Sequence, residues 1–345
     1  MRNVGMLGLA GLLLTGATSV DDCGAARAAA PNMTVCVANA GGVVLAMDAD
    51  EAKRLAAIAA AGEARFERWF GVRPARYAVI QGEAGAPVLA ALKAAGFAVD
   101  LPWFTRDAFQ SSVEASVRRQ VEAQTAGMSP DQAQAALDKA LAQIRTRLAA
   151  GSFDRDPQAV PHELGHGWYV QAFWPGLDID TRGHYGGPGP DWMDETAAVL
   201  METDAAADDR RAQFREAYRG GDGLKVDDLA LFLHRDHPMK AVAEAAGRNG
   251  AGVTVMRSQD GGSEFANARQ AGIFYAQGRV FADFMIERSG KPTVFADIGR
   301  AFGQGRTIEQ WLAAEGPALK LGATVADLDR LWRAWLVVKY GPPAV

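Results

Sequence analysis

The stretch Val160-Pro161-His162-Glu163-Leu164-Gly165-His166-Gly167-Trp168 decides how the chain is read. On a helix its two histidines, four positions apart, share one face and can point at the same ion. Glu163 lies about 100° further round the turn, where it reaches a water beside that ion rather than serving as a third ligand. Two nitrogen ligands, an adjacent carboxylate base and room for water are what zinc-assisted hydrolysis requires. Pro161 is tolerated in a first helical turn, where its missing N–H costs little, so His162 is expected near the helix start. The helix is expected to begin near Asp156 or Pro157 and to stop at Trp174-Pro175.

Catalytic zinc takes three protein ligands plus water, so a third ligand is expected downstream. A glycine and a further histidine at positions 169 and 172 would mark the three-histidine class, but Tyr169 and Ala172 stand there. Gly176 to Pro190 is rich in Gly, Pro and Asp and reads as a loop. A helix restarts at Asp191 or Trp192 and runs through Glu202. Glu195 on that second helix is the expected third ligand, with His184, Asp191, Asp194 and Glu202 as competitors.

Trp192-Met193-Asp194-Glu195-Thr196-Ala197-Ala198 resembles the Trp-Leu-Asn-Glu-Gly-Phe-Ala segment of the gluzincin zinc metallopeptidases of the MA clan, which are related to the M1 aminopeptidases. In that family the segment carries the zinc-binding glutamate, which the resemblance assigns to Glu195. The gap from His166 is longer than the family's usual spacing, which implies an insertion in the loop before Pro190. Ile273-Phe274-Tyr275-Ala276-Gln277-Gly278-Arg279-Val280-Phe281 is similar to the Tyr-x-x-Gly helix start of the same peptidases. The resemblance gives Tyr275 the role of stabilising the oxyanion of the tetrahedral intermediate. A phenol keeps its proton at neutral pH and can donate to developing negative charge. Asp327 to Trp335 resembles the C-terminal helix of bacterial MA-like peptidases. The Gly-x-Met-Glu-Asn motif that binds a free amino terminus in the aminopeptidases is missing, so that specificity is not implied and endopeptidase action stays open.

The rest of the chain fixes the setting. It has 345 residues, 49% hydrophobic and 22% charged, and this is globular composition with enough length for a large core. A net charge of −5 without a dense Lys/Arg run argues against a nucleic-acid partner. Arg2, the apolar run Val4 to Leu14 and the small residues after it have the layout of a secretory signal peptide. That run is short for a membrane span, so a periplasmic or secreted protein without stable membrane insertion is expected. An uncleaved anchor is the alternative. Cys23 and Cys36 can pair if cleavage falls before Cys23, whereas cleavage near Ala30 would leave Cys36 alone.

Three regions are expected: 1–30 as leader and loose segment, 31–155 as an α/β layer plus a helical hairpin, and 156–345 as the helical zinc-binding region. In the second, Thr34–Ala38, Val43–Met47, Arg76–Ile80 and Phe97–Leu101 read as strands. A helix capped by Asp48 or Asp50 runs to Gly71, and Pro87 to Ala95 reads as a short helix. Phe109, Val113, Val117 and Val121 form one stripe of the hairpin, and a Ser129–Gln132 capping box opens its second helix. This hairpin is either simple packing or a lid. Beyond the motif, helices are expected over Phe274–Arg288, Lys291–Phe302, Thr307–Glu315 and Val325–Val338. Trp311, Trp332 and Trp335 read as core anchors. His234 and His237 read as a solvated loop before Pro238.

The fold class expected is therefore α+β and zincin-like, a small mixed layer followed by a mostly helical catalytic region. The function expected is that of an exported zinc metallopeptidase acting on a peptide or protein substrate. His162, His166 and Glu195 would hold Zn²⁺, with Glu163 as general base and Tyr275 at the oxyanion. A non-catalytic envelope or binding protein on the same scaffold, or a zinc hydrolase of a non-peptide bond, is the alternative. The sequence sets no oligomeric state.

Overall fold

A computed structural model describes residues 20–82, 84–103, 106–150, 157–177, 187–220, 225–240 and 263–343. The fold is α+β: a four-stranded mixed sheet followed by a mostly helical region. Strands β1 (Val35–Ala38), β2 (Gly42–Ala46), β3 (Tyr77–Gln81) and β4 (Val99–Trp103) lie in the order β1-β2-β3-β4. β1 and β2 form an antiparallel hairpin, while β2–β3 and β3–β4 are parallel, with Val44 opposite Val79 and Val79 opposite Leu101.

Alternation along the strands sends side chains to two different cores. Val43, Leu45, Ala78 and Ile80 face α1 (Val20–Ala29) and α3 (Ala86–Ala94), where Ala26, Ala30, Leu92 and Phe97 are buried. Val44, Ala46, Tyr77 and Val79 face α2 (Ala49–Phe70). Asp48 caps α2 by accepting from the backbone N–H groups of Asp50 and Glu51, and Gly71, at φ 67°, closes it.

Two expectations about the N-terminal half change. The segment before residue 30 is not loose over Val20–Ala29, which is helical and fixed to the sheet. Cys23 is disulfide-bonded to Cys36 on β1, and Asp22 accepts from Arg76 at 2.6 Å. Strand β4 also starts two positions later than Phe97. The end of α3 takes up that stretch: the Gly96 N–H donates to Lys93 O and the Phe97 N–H to Leu92 O, with Gly96 at φ 89°. Such a left-handed closure favours glycine.

Helices α4 (Arg106–Gln124) and α5 (Pro130–Ala150) form the hairpin. Val113 and Leu141 are buried in it, and Arg145 donates twice to Glu114, at 2.8 Å each. Ser129 and Gln132 make both bonds of the capping box. Phe109 lies in the helix, but its side chain lies outside the described residues.

A short 3₁₀ turn, Pro157–Ala159, leads into α6 (Val160–Phe173), which carries the motif. Val160 and Pro161 fill its first two positions. After it come α7 (Asp191–Met201), α8 (Asp204–Tyr218), the short α9 (Leu229–Phe232), the long α10 (Ser263–Ser289), α11 (Val294–Gly303), α12 (Ile308–Glu315) and α13 (Val325–Tyr340). One continuous core runs from Val44 on the sheet to Leu336 on α13. It crosses the boundary expected at 155/156, so the layer and the helical region share their packing. Trp311 and Trp332 are buried in that core, and Trp335 is partly buried against it. Among the described residues no helix is long and apolar enough to cross a membrane.

Candidate metal centre

Helix α6 is pressed between α2, β4 and α7, and two glycines permit it. A Cβ on Gly167 would stand 2.6 Å from Val99 Cγ1 on β4. One on Gly165 would stand 2.9 Å from Met201 and 3.0 Å from Ala198 on α7. His166 sits between these contacts and is buried, while His162, one turn earlier, is partly exposed. Helix α7 is buried from Trp192 to Met201, which is why its carboxylates lie inside the protein.

These helices bring the three expected ligands together. His162, His166 and Glu195 offer atoms that all lie within 4.8 Å of one another. Both imidazole Nε2 atoms are 3.7 Å from Glu195 Oε2, an oxygen that is buried and, among the described residues, accepts no hydrogen bond. Ligands placed tetrahedrally at about 2.0–2.1 Å from a zinc ion are about 3.4 Å apart. The spacing and the donor set of two imidazoles and one carboxylate therefore fit such an ion.

Both outer nitrogens face carboxylates. His162 Nδ1 donates to Glu202 Oε1 at 3.0 Å, and His166 Nδ1 is 3.0 Å from Asp194 Oδ1. A proton held at Nδ1 leaves the Nε2 lone pair facing inward. Asp194 and Glu202, weighed above as competing ligands, thus stand behind the histidines. Asp191 also lies outside the cluster, where it accepts from the His237 backbone N–H at 2.8 Å. His184 lies outside the described residues.

Electrostatics follow burial and these neighbours. Burial by itself lowers the His166 pKa, but Asp194 and Glu195 override it and hold the ring up at about 10. Burial raises Glu195 to about 7 against the pull of His166 and His162, and the charges of Asp194 and Glu163 add to the rise. Glu202 is buried too, but His162 and Arg210 outweigh that and bring it down to about 2. A metal ion bound here would replace the protons that this anionic cradle otherwise attracts. Glu163 lies beside His162 on α6, close enough for its charge to act on both His166 and Glu195.

Tyr275 borders the centre. Its ring centroid is 5.7 Å from that of His162, edge to face, and 5.2 Å from that of His237. It lies well inside α10 rather than at a helix start, because α10 already begins at Ser263. Gly278 lets α10 approach α7 closely: a Cβ there would stand 3.2 Å from Thr196 Oγ1, next to Glu195.

His237 is the main correction. It is not solvated; its side chain is wholly buried, against Phe274 and Tyr275. The Met239 N–H donates to its Nδ1 at 3.1 Å, which puts the ring proton on Nε2, and Nε2 lies 3.7 Å from Glu195 Oε1. Nothing in its spacing selects it; its backbone N–H donates to Asp191, which ties its loop to the start of α7. His234, by contrast, is exposed and pairs with Glu309 at 2.7 Å. Glu202, expected within the helix, is the C-cap that ends α7, and its extended backbone there carries the carboxylate behind His162.

Comparisons with protein-family models, with curated proteins and with solved structures gave no match.

Proposed function

We propose that this chain is a zinc-dependent metallopeptidase, with His162, His166 and Glu195 as the ligands. The observation that carries the reading is the convergence of both Nε2 atoms on the buried Glu195 Oε2, each ring backed by a carboxylate at Nδ1. A structural zinc site is closed by four protein ligands and has no use for an adjacent base. Here three ligands meet, and Glu163 stands next to His162.

Zinc in this cradle would act as a Lewis acid on a carbonyl and lower the pKa of a bound water. Glu163 takes the proton as a water attacks the scissile carbonyl and delivers it to the leaving amine. Tyr275 donates its phenolic hydrogen toward the oxyanion. Glu202 holds the His162 imidazole in the tautomer that keeps Nε2 unprotonated, and Asp194 sets a negative charge behind His166 that favours the same tautomer there. The substrate is a peptide or protein.

We read the protein as exported, with its leader removed before α1. A cut near Ala30 would discard Cys23 and the helix that covers Ala78 and Ile80. A disulfide between Cys23 and Cys36 suits an oxidising compartment.

The test joins metal analysis to digestion of a broad peptide library. Wild-type protein should hold one zinc per chain and cleave peptides. Glu163→Gln should keep the metal and lose cleavage by about 10²-fold or more, whereas His162→Ala should lose both. Full activity in Glu163→Gln protein, or stoichiometric zinc with no cleavage of any peptide by the wild type, overturns the reading.

A further inference from the structure

Arg210 lies on α8, away from the motif in sequence, yet it touches two sides of the candidate centre. Its Nη2 donates to Glu202 Oε1 at 2.8 Å and its Nε to Glu202 Oε2 at 3.2 Å. The same Glu202 Oε1 accepts from His162 Nδ1 at 3.0 Å. Its guanidinium carbon also lies over the Tyr275 ring, 5.1 Å from the centroid, and that ring meets His162 edge to face. Arg210, Glu202, His162 and Tyr275 therefore close a ring of contacts drawn from α8, the end of α7, α6 and α10.

We propose that Arg210 is a positioning residue that couples the metal-binding His162 to Tyr275, holding Glu202 with its planar fork and the phenol with its face. This rests on the metallopeptidase reading above. On one side the fork uses both carboxylate oxygens, so Glu202 cannot rotate away from Nδ1, and the His162 ring keeps Nε2 turned toward Glu195. On the other side a cation over the ring face restricts the phenol and favours its hydroxyl as a donor. A lysine would keep the charge but lose the bidentate geometry and the flat stacking surface. Arg211, the next residue on the same helix, is turned to Asp283 and Asp208. It supplies a control in which a neighbouring arginine is lost without disturbing Glu202.

The experiment uses the full chain with zinc and compares wild type, Arg210→Lys, Arg210→Gln, Arg211→Gln and Tyr275→Phe, with the Arg210→Lys/Tyr275→Phe double variant. Zinc affinity is measured by competition with a chromogenic chelator, folding by circular dichroism and melting, and kcat and KM on a peptide taken from the library digest. Both Arg210 variants should remain folded and bind zinc about 10–100-fold more weakly. At saturating zinc they should lower kcat while leaving KM nearly unchanged. Tyr275→Phe should cost less in the Arg210→Lys background than in the wild type. Arg211→Gln should change melting but not zinc affinity.

Wild-type zinc affinity in Arg210→Lys, or kcat losses that multiply independently with Tyr275→Phe, overturns the role of Arg210. Wild-type protein that binds no zinc overturns this proposal together with the metallopeptidase reading. If the wild type binds zinc but cleaves nothing, only the peptidase reading falls, and the zinc-affinity comparison decides on Arg210 alone.

Discussion

Glu195 illustrates the residue scale. It is a buried carboxylate with His162, His166 and His237 each 3.7 Å away, and it is turned so that one oxygen faces the two histidines of α6 and the other faces His237. A buried anion in such a place is costly unless cations or a metal compensate it. The neighbouring Asp194 adds a second carboxylate but directs it behind His166. Replacing Asp194 with alanine should therefore leave three ligands in place and weaken zinc binding by about 10–100-fold through the orientation of His166. Chelator competition on the folded variant measures this, and undiminished affinity would remove Asp194 from the centre. The partners behind the two histidines were harder to read from the sequence than the three candidate ligands. Glu202 and Asp194 could be listed as acids near Glu195, but whether a carboxylate meets a metal or the far side of an imidazole depends on helix rotation.

At the scale of elements, α6 is set by contact rather than by capping, since its N-cap residue Ala159 offers no side-chain hydrogen bond. Gly167 brings the helix onto Val99 of β4, and this contact ties the motif to the sheet. Gly167→Ala should gain about 1 kcal/mol of helix propensity. It should lose more to the clash with a β-branched side chain that has little rotamer freedom, for an overpacking cost of about 1–3 kcal/mol. A net loss in denaturant titrations is the expected outcome, and a variant at least as stable as the wild type would contradict it. The helices and strands themselves were largely legible, because periodicity, caps and glycine stops act within a few residues. The start of β4 was not: the turn closing α3 takes up Phe97, whose apolar character alone suggested a strand. The expected start of a helix near Phe274 failed for a related reason, since α10 is already helical from Ser263.

Across the whole molecule, the helical region is held around the centre by aromatic packing and by partly buried charge clusters such as the one at Asp283. Phe214, Phe284, Trp332 and Trp335 join α8, α10 and α13. Beside them Asp283 accepts from Arg211 at 2.7 and 3.1 Å and from Arg279 at 2.7 Å. Burial pushes the Asp283 pKa up, but these two arginines prevail and it lies below the ordinary aspartate value. The unfolded chain therefore takes up the proton first on acidification. The stabilisation is complete above about pH 4 and is lost as pH falls through the lower, folded value. Asp283→Asn should cost about 1–3 kcal/mol near pH 7, with the gap to wild type closing at the acid end. Denaturant titrations across that range check it, and a gap that does not change with pH would show that the cluster contributes no charge-dependent stability.

By itself the sequence placed two histidines at helical spacing, a carboxylate beside the first, and Glu195 on a helix that restarts after a loop. It also determined most element boundaries and the α+β class, since these follow from local periodicity and turn chemistry. Tertiary structure alone decided that α1 and its disulfide belong to the fold, that one core spans residues on both sides of 155, and that Asp194, Glu202, Arg210 and His237 surround His162, His166 and Glu195. The physical reason is range. Helix phase and caps are set by neighbours in the chain. The choice between a ligand, its backing partner and a solvated side chain is made by burial and by angles between helices that lie far apart in sequence.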